Sequence, residues 1–226
     1  MHAAVLEATA VGPGTTLLDL GCGAGLFARA ATDRGARVTG VDVDPVAVSR
    51  AAAAVPDAVF AVGHAEDPPA GPFDVAAAVQ LLMHVPNPVG VLAAAARSAP
   101  VVAATVWGRE EECDVRVFGE ALAPWLGPRP APGPPITDPT RLRAVAERAG
   151  LDVDRVDEVV CAFSYADDEE LLGSVFDSAL GRAVGRRAGP VALREAVLER
   201  LEPYRTAPEG YRLENVFRVL VAHRHG

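Results

Sequence analysis

A glycine-rich segment directly after an aspartate is the strongest chemical signal in the sequence. Asp19 precedes Gly21, Gly23 and Gly25, and the segment stands between an apolar run typical of a buried strand and a stretch with helical propensity. Glycines in such a turn let the backbone bend sharply and approach a ligand without a Cβ in the way. The acid before the loop suits a cationic ligand group better than a pyrophosphate, so we predict a binding site for a partly cationic small molecule.

A second acid, Asp42, ends the next predicted strand, 21 residues after Gly21. An acid at that distance from a glycine loop can accept hydrogen bonds from a ribose diol. The loop differs from the dinucleotide-binding fingerprint, because its third glycine comes four residues after the first and Leu26 stands where that pattern has glycine. A nicotinamide-dependent dehydrogenase is therefore the least favoured interpretation.

Short apolar runs alternate with helical segments over residues 16–107. We predict strands over 16–20, 37–41, 58–62, 73–79 and 100–106, and helices over 26–34, 45–55 and 87–97, with Asp44 as the N-cap of the second helix. Strands that alternate with helices indicate βαβ units, a parallel sheet and right-handed crossovers. The predicted fold class is thus α/β.

The pattern changes after Trp107. Helices are predicted over 108–123, 137–149, 167–187 and 190–202, strands over 152–164 and 211–223, and a linker or covering loop over the proline-rich residues 124–139. The proline-rich stretch is too short to separate two cores. We therefore expect a single domain over residues 1–226, with 1–107 as its cofactor-binding half.

Composition narrows the possible functions. The net charge is −9, and all 21 basic residues are Arg, so Schiff-base chemistry and a phosphate-loop lysine are excluded and a nucleic-acid surface is disfavoured. No apolar run is long enough for a membrane span, and no signal peptide is visible after Met1, which predicts a cytoplasmic protein. The three widely spaced cysteines predict neither disulfides nor a metal site.

Five segments, in their order and spacing, resemble the class I S-adenosylmethionine-dependent methyltransferases. They are residues 17–25 (LLDLGCGAG), 38–45 (VTGVDVDP), 63–67 (GHAED), 73–75 (FDV) and 82–88 (LMHVPNP). The resemblance is strong over about residues 15–107, and it is nearest to the small-molecule branch related to ubiquinone and menaquinone methyltransferases. It implies a Rossmann-like, doubly wound sheet of seven strands whose last strand is antiparallel.

The resemblance also implies roles for individual residues. In the family, Asp19 and the loop through Gly21, Cys22, Gly23 and Gly25 hold the methionine part of the cofactor, and Asp42 binds its ribose. Val43 packs on the adenine, Ala65 and Glu66 lie beside the adenine edge, and the backbone at Gln80 lies near the methionine amino group. The implied cofactor is S-adenosylmethionine, with S-adenosylhomocysteine as product and without a metal, and the implied partner is a small-molecule methyl acceptor.

The sequence departs from the family pattern in three places. His64 stands where the family usually has Asp, residues 97–101 (RSAPV) lack the usual Pro-Gly-Gly turn, and only sixteen residues precede Leu17, where relatives usually carry one or two further helices. The substrate lid is therefore expected elsewhere, in residues 108–137 and 165–208. The oligomeric state is not predicted.

His84 follows the fourth predicted strand, where this fold places residues that face the transferred methyl group. Two interpretations stay open: a general base for a hydroxyl or amine, or a partly buried packing residue. We predict methyl transfer to a small, apolar organic molecule. The alternatives are an enzyme of the same fold that catalyses a cyclisation or rearrangement, and a non-catalytic scaffold that binds the cofactor.

Overall fold

The computed structural model describes residues 1–126, 135–206 and 210–225. This part of the chain divides into two compact units. The first comprises Met1–Trp107, Pro134–Val159 and Phe217–Gly226, and the second comprises Gly108–Gly133 and Val160–Val216. The predicted lid segments 108–137 and 165–208 fall largely in the second unit, but residues 127–134, 207 and 208 lie outside the described residues. That these segments form a lid within one domain stays a prediction.

Helices and strands alternate regularly in the first half of the chain. After a short helix that the sequence analysis did not predict, the elements match the expected strands and helices within a few residues. They are α1 (His2–Ala8), β1 (Thr16–Leu20), α2 (Leu26–Thr32), β2 (Arg37–Asp42), α3 (Pro45–Ala54), β3 (Val59–Val62), β4 (Val75–Val79), α4 (Pro88–Ser98) and β5 (Val101–Trp107).

The second half contributes the remaining elements. They are α5 (Arg116–Leu122), α6 (Pro139–Arg148), β6 (Leu151–Tyr165), α7 (Asp168–Phe176), α8 (Ala179–Ala188), α9 (Pro190–Leu201), β7 (Arg205–Thr206) and β8 (Gly210–Arg224). Among the described residues, no helix has both the length and the apolar character needed to cross a membrane.

The sheet has the strand order β3-β2-β1-β4-β5-β8-β6, and the two-residue β7 pairs with β8. Strands β3, β2, β1, β4 and β5 are parallel neighbours, whereas β8 runs antiparallel to β5, with Thr105 opposite Val219. The predicted Rossmann-like α/β class, with seven strands along the main path and an antiparallel final strand, is confirmed.

The core of the first unit lies on both faces of the sheet. Successive side chains of a strand point to opposite faces, so Leu18 and Leu20 of β1 pack in one cluster with α4 and α6, whereas Leu17 packs in the other with α1 and α2. All three leucines are fully buried. Burial on both faces explains why the parallel strands are continuous apolar runs rather than alternating ones.

Local capping confirms one helix start. Asp44 accepts a hydrogen bond from the amide of Val46 at 2.8 Å, and Pro45 occupies the first position of α3, as predicted. The apolar face of α3 that packs inward contains the buried residue Ala51.

Two predicted helices in the second unit are wrong in extent. The helix expected over 108–123 is limited to Arg116–Leu122, because the Gly108 amide donates to the Val216 carbonyl and Cys113 forms a β-bridge with Asn215. The helix expected over 167–187 ends at Phe176. A new helix starts after Ser178, whose Oγ accepts from the amide of Gly181 at 2.8 Å.

Candidate functional site

The candidate site lies in the first unit, at the carboxyl ends of neighbouring parallel strands. Asp19 is in β1, Asp42 ends β2, and Gln80 directly follows β4. The strand order reverses direction between β1 and β4, and ligands of open α/β sheets bind in the crevice outside the strand ends at such a switch point. The predicted acids are therefore brought together where this fold binds its ligands.

The glycine loop is held against the end of β2 by backbone hydrogen bonds. The amides of Gly21 and Cys22 both donate to the carbonyl of Val41, at 2.8 and 3.0 Å. Gly21 has a φ of 70°, and a Cβ there would lie 2.6 Å from Leu81 Cδ1. Only glycine fits this position without displacing Leu81, so the loop keeps a close approach open beside the strand end.

Asp42 is fixed by two backbone amides. Its Oδ2 accepts from Gly23 at 2.9 Å and its Oδ1 accepts from Asp44 at 2.9 Å. A carboxylate oxygen can accept more than one hydrogen bond, so both oxygens keep capacity for a ligand. Asp42 lines the larger of two clefts at the site. Its geometry suits hydroxyl donors such as a ribose diol.

The larger cleft has a volume of about 410 Å³, in the range of small-molecule sites. Seven of the predicted site residues line it, together with a mostly apolar wall. The predicted residues are Gly21, Asp42, Val43, Ala65, Glu66, Gln80 and His84, and the others include Val41, His64, Leu81, Val85, Pro86 and Val91. His64 and His84 are both exposed.

A smaller compartment of about 260 Å³ adjoins the larger cleft, since Gly21 and Gln80 line both. Its wall contains the predicted residues Asp19, Gly21, Cys22, Gly23 and Gln80, together with His2, Ala24, Leu26, Phe27 and Val79. Gly25 lies at the start of α2 with a φ of 85°, where an added Cβ would stand 3.1 Å from Ala51. It is absent from both sets of lining residues, and its predicted role stays a prediction.

Asp19 is the most unusual ionisable group of the smaller compartment. Its side chain is only 1% exposed, and burial, reinforced by the charge of Asp42, raises its pKa to about 7. Within the described part of the chain, its Oδ2 has no hydrogen-bond partner. Burial of a carboxylate oxygen without a hydrogen-bond partner destabilises the folded protein, and a cationic donor would offset that free-energy cost.

Gln80 supplies a second buried acceptor. Its backbone adopts a positive φ of 55°, which is uncommon for a residue other than glycine. The side-chain Nε2 donates to Thr105 Oγ1 at 3.1 Å and contacts Met1 Sδ at 3.4 Å, whereas Oε1 has no partner among the described residues. The compartment thus combines two unpaired oxygens, one from Asp19 and one from Gln80.

Cys22 is a packing residue of the loop in this geometry. It is 6% exposed, and burial, with the charges of Asp19 and Asp42, raises the pKa of its thiol to about 12. A Cβ on Gly40 would lie 2.9 Å from the Cβ of Cys22, which shows how closely the two strands and the loop approach. The thiol is protonated at neutral pH and is therefore a poor nucleophile.

Several lining residues were not identified from the sequence, among them His2, Phe27 and Leu81. His2 and Phe27 form an edge-to-face ring pair with centroids 5.7 Å apart, and both line the smaller compartment. The pKa of His2 is lowered by burial and by the N-terminal ammonium group. Leu81 lines the larger cleft opposite Gly21. No local pattern marks these residues, because only the packing of α1 and the turn after β4 place them at the site.

The fold and the site together are those of an α/β protein whose clefts fit a nucleoside-containing ligand with a cationic end. The two unpaired oxygens fit an ammonium group, Asp42 fits a ribose, and the apolar cleft beside them fits a base. Within the described ranges, no group of three His, Cys, Asp or Glu side chains is arranged to hold a metal ion. The residues present therefore fit S-adenosylmethionine.

Comparison with known families identifies the chain. Residues 3–156 match the family model described as a methyltransferase domain. The chain belongs to this family of class I S-adenosylmethionine-dependent methyltransferase domains.

Curated relatives are similar over part of the chain. The ubiquinone biosynthesis O-methyltransferase of Sodalis glossinidius (strain morsitans) is 38% identical over 92 residues, which are 37% of this chain and 36% of that protein. The enzyme of the same name from Pseudomonas paraeruginosa (strain DSM 24068 / PA7) is 40% identical over 92 residues, 37% of this chain and 39% of that protein. The match thus spans little more than a third of the length of these relatives.

Solved structures share the fold over nearly the whole chain. The (4+2)-cyclase SpnF has a TM-score of 0.62 at 22% identity, over 99% of this chain and 80% of that one. The YcgJ protein from Bacillus subtilis has a TM-score of 0.62 at 14% identity, over 100% of this chain and 98% of that one. At these identities the likeness concerns the fold alone.

Proposed function

We propose that this protein transfers a methyl group from S-adenosylmethionine to a small, apolar organic acceptor. One observation carries the proposal: Asp19 Oδ2 and Gln80 Oε1 are buried without hydrogen-bond partners among the described residues, and both residues line the smaller compartment, which shares Gly21 and Gln80 with the larger cleft. Two unpaired acceptors in one compartment favour an ammonium group, and Asp42 in the adjoining cleft favours a ribose. The family supports the same cofactor.

The residues divide the work of holding the cofactor. Asp19 and Gln80 would accept hydrogen bonds from the ammonium group at the amino-acid end of the cofactor. The loop through Gly21 and Gly23 would lie along its methionine chain. Asp42 would accept from the ribose hydroxyls. Val43, Ala65 and Glu66 would flank the adenine in the larger cleft, and Cys22 and Gly25 would keep the loop packed.

The bound cofactor supplies a sulfonium methyl group that is already activated for displacement. The protein's own contribution is then mainly to orient the acceptor and exclude water. The wall of the larger cleft formed by Leu81, Val85 and Val91 is apolar, which supports a small apolar acceptor.

His84 is the proposed general base. It lines the larger cleft and is exposed, so its ring nitrogens are accessible to an acceptor. A histidine side chain can take the proton from a hydroxyl or amine as the new bond to carbon forms. An acceptor that is already deprotonated, or that reacts at carbon, needs no such step.

The test is a methyl-transfer assay with S-adenosylmethionine labelled in the methyl group, over a panel of small apolar phenols, alcohols and amines. The proposal predicts a labelled product and one S-adenosylhomocysteine per turnover for at least one acceptor class. An altered product without S-adenosylhomocysteine would instead support a cyclisation or rearrangement. Cofactor binding without any reaction across the panel, with the panel widened to carbon acceptors, would support a scaffold role.

A further inference from the structure

Thr105 is a fully buried polar residue beside the candidate site that neither the motifs nor the resemblance singles out. It lies on β5 directly opposite Val79 of β4, and its side chain is 0% exposed. Val79 is the residue before Gln80, so the end of β5 supports the turn that carries Gln80. The other residues of β4 and β5 are alanine, valine and Trp107, so a buried hydroxyl at this place needs a structural reason.

Thr105 accepts three hydrogen bonds from Gln80. The Gln80 amide donates both to the Thr105 carbonyl at 3.1 Å and to Thr105 Oγ1 at 3.0 Å. The side-chain Nε2 of Gln80 donates to the same Oγ1 at 3.1 Å. One hydroxyl oxygen therefore accepts from both the backbone and the side chain of one residue.

This arrangement holds Gln80 in a backbone conformation that it would otherwise avoid. A residue other than glycine at a φ of 55° is strained, and the surrounding structure must offset that strain. The two hydrogen bonds from the Gln80 amide to Thr105 do so. These hydrogen bonds also fix the backbone position from which the Gln80 side chain extends.

The hydrogen bond from Nε2 then decides which end of the carboxamide is left for a ligand. A glutamine side chain has a donor end and an acceptor end. With the donor end bound to Thr105 Oγ1, the Oε1 end is buried and has no partner in the described part of the chain. Gln80 lines both clefts, so Oε1 is the end of its side chain that is left for a ligand. A rotated carboxamide would present donors beside Asp19 and repel an ammonium group.

We propose that Thr105 is a positioning residue for the cofactor: its hydroxyl holds the Gln80 carboxamide so that Oε1 accepts from the ammonium group of the amino-acid end. The inference rests on the proposed function, because it assumes that this compartment takes that end of S-adenosylmethionine. Thr105 would contact no ligand itself and would act only through Gln80.

The test compares two ligands that differ only in the amino-acid end. S-adenosylhomocysteine carries it, whereas 5′-methylthioadenosine does not. Calorimetric titrations use the whole chain and the variants Thr105→Val, which removes the hydroxyl and keeps the shape, and Thr105→Ser, which keeps the hydroxyl. Thr105→Val should weaken S-adenosylhomocysteine binding about tenfold, as for the loss of one positioned hydrogen bond to a charged group, and leave 5′-methylthioadenosine binding unchanged.

Two further comparisons separate positioning from a general structural effect. Thr105→Ser should retain most of the affinity for S-adenosylhomocysteine. In a Gln80→Leu background, Thr105→Val should cause no further loss, because the coupled partner is already gone. Thr105→Ala takes the place of Thr105→Val if that variant does not fold, with the same two ligands.

Each result is decisive. Equal loss of both ligands in Thr105→Val, or no loss of either, would overturn the inference while leaving the proposed function in place. An additive loss in the Gln80→Leu background would overturn it as well. Failure of the unaltered protein to bind both S-adenosylmethionine and S-adenosylhomocysteine would contradict the proposed function and, with it, this inference.

Discussion

The Asp42 carboxylate accepts a hydrogen bond from the Gly23 amide at 2.9 Å, which ties the acid at the end of β2 to the middle of the glycine loop. The two motifs stand far apart in the chain, yet they form one unit in the structure. The loop also donates to the Val41 carbonyl, so its shape depends on β2 throughout. A change at Asp42 is therefore expected to act on the ribose site and on the loop together.

Asp42→Ala should weaken binding of S-adenosylhomocysteine by a few kcal/mol, on the order of a hundredfold or more. The variant removes the acceptor for the ribose hydroxyls and frees the Gly23 amide at once. Calorimetric titration measures the loss. The matched control is Asp44→Ala, which removes only the cap of α3 and should lower stability by about 1 kcal/mol without changing affinity. Unchanged affinity in Asp42→Ala would contradict the assignment.

Gly21→Ala should reduce both cofactor affinity and stability. The position has a φ of 70°, and the added Cβ would press on Leu81 at 2.6 Å and drive that side chain into the larger cleft. The backbone cost alone is about 1–2 kcal/mol. Gly12→Ala is the control, because its φ is ordinary and nothing lies within 4 Å of its Cβ. Denaturant unfolding and titration of both variants should separate them, and equal behaviour would refute the close-approach argument.

Asp19 should make stability fall as the pH rises. Its pKa is raised by burial from 3.8 to about 7 in the folded protein. Between these values the folded state holds a proton on Asp19 that the unfolded state has released. The stabilising contribution of this proton to the free energy of unfolding is therefore fully present below about pH 4 and is lost as the pH rises through about 7. A shift of this size corresponds to up to about 4 kcal/mol.

Asp19→Asn removes the titrating proton and keeps the shape. Its free energy of unfolding in the absence of ligand should exceed that of the unaltered protein near pH 8, and the difference should shrink toward zero near pH 4. Urea unfolding of both proteins over this range measures the difference curve, in which the other titrating groups cancel. A difference that is independent of pH would mean that Asp19 is ionised in the ligand-free protein throughout.

His84→Ala should lower the rate of methyl transfer to a hydroxyl or amine acceptor by roughly a hundredfold, the usual size of a general-base contribution, without changing S-adenosylhomocysteine affinity. His223→Ala, an exposed histidine on β8, is the control. Full turnover in His84→Ala would remove the base role and leave His84 as a wall residue of the cleft.

The first half of the fold was predictable because its signals are local. The buried leucines of β1 and the Asp44-Pro45 start of α3 both act within a few residues. The second unit was less predictable, because distant pairings decide it. Cys113 bridges Asn215, about a hundred residues away, and this contact stops a helix that local propensity favours.

The same distinction applies to the site. Asp19, Asp42 and the glycines stand in motifs with a fixed spacing, so the sequence marks them directly. His2 reaches the smaller compartment only through α1, and Thr105 meets Gln80 only because β5 pairs with β4. The left-handed backbone of Gln80 is likewise invisible in the sequence, since nothing about a glutamine indicates a positive φ.

The most direct test of the central claim is calorimetric titration of the purified protein with S-adenosylmethionine and S-adenosylhomocysteine, with NADH as the comparison ligand. The account predicts a single site with a dissociation constant around the micromolar range, about −8 kcal/mol, for at least one of the two adenosyl ligands, and no binding of NADH. Absence of binding for both adenosyl ligands, or binding of NADH at the same site, would contradict it.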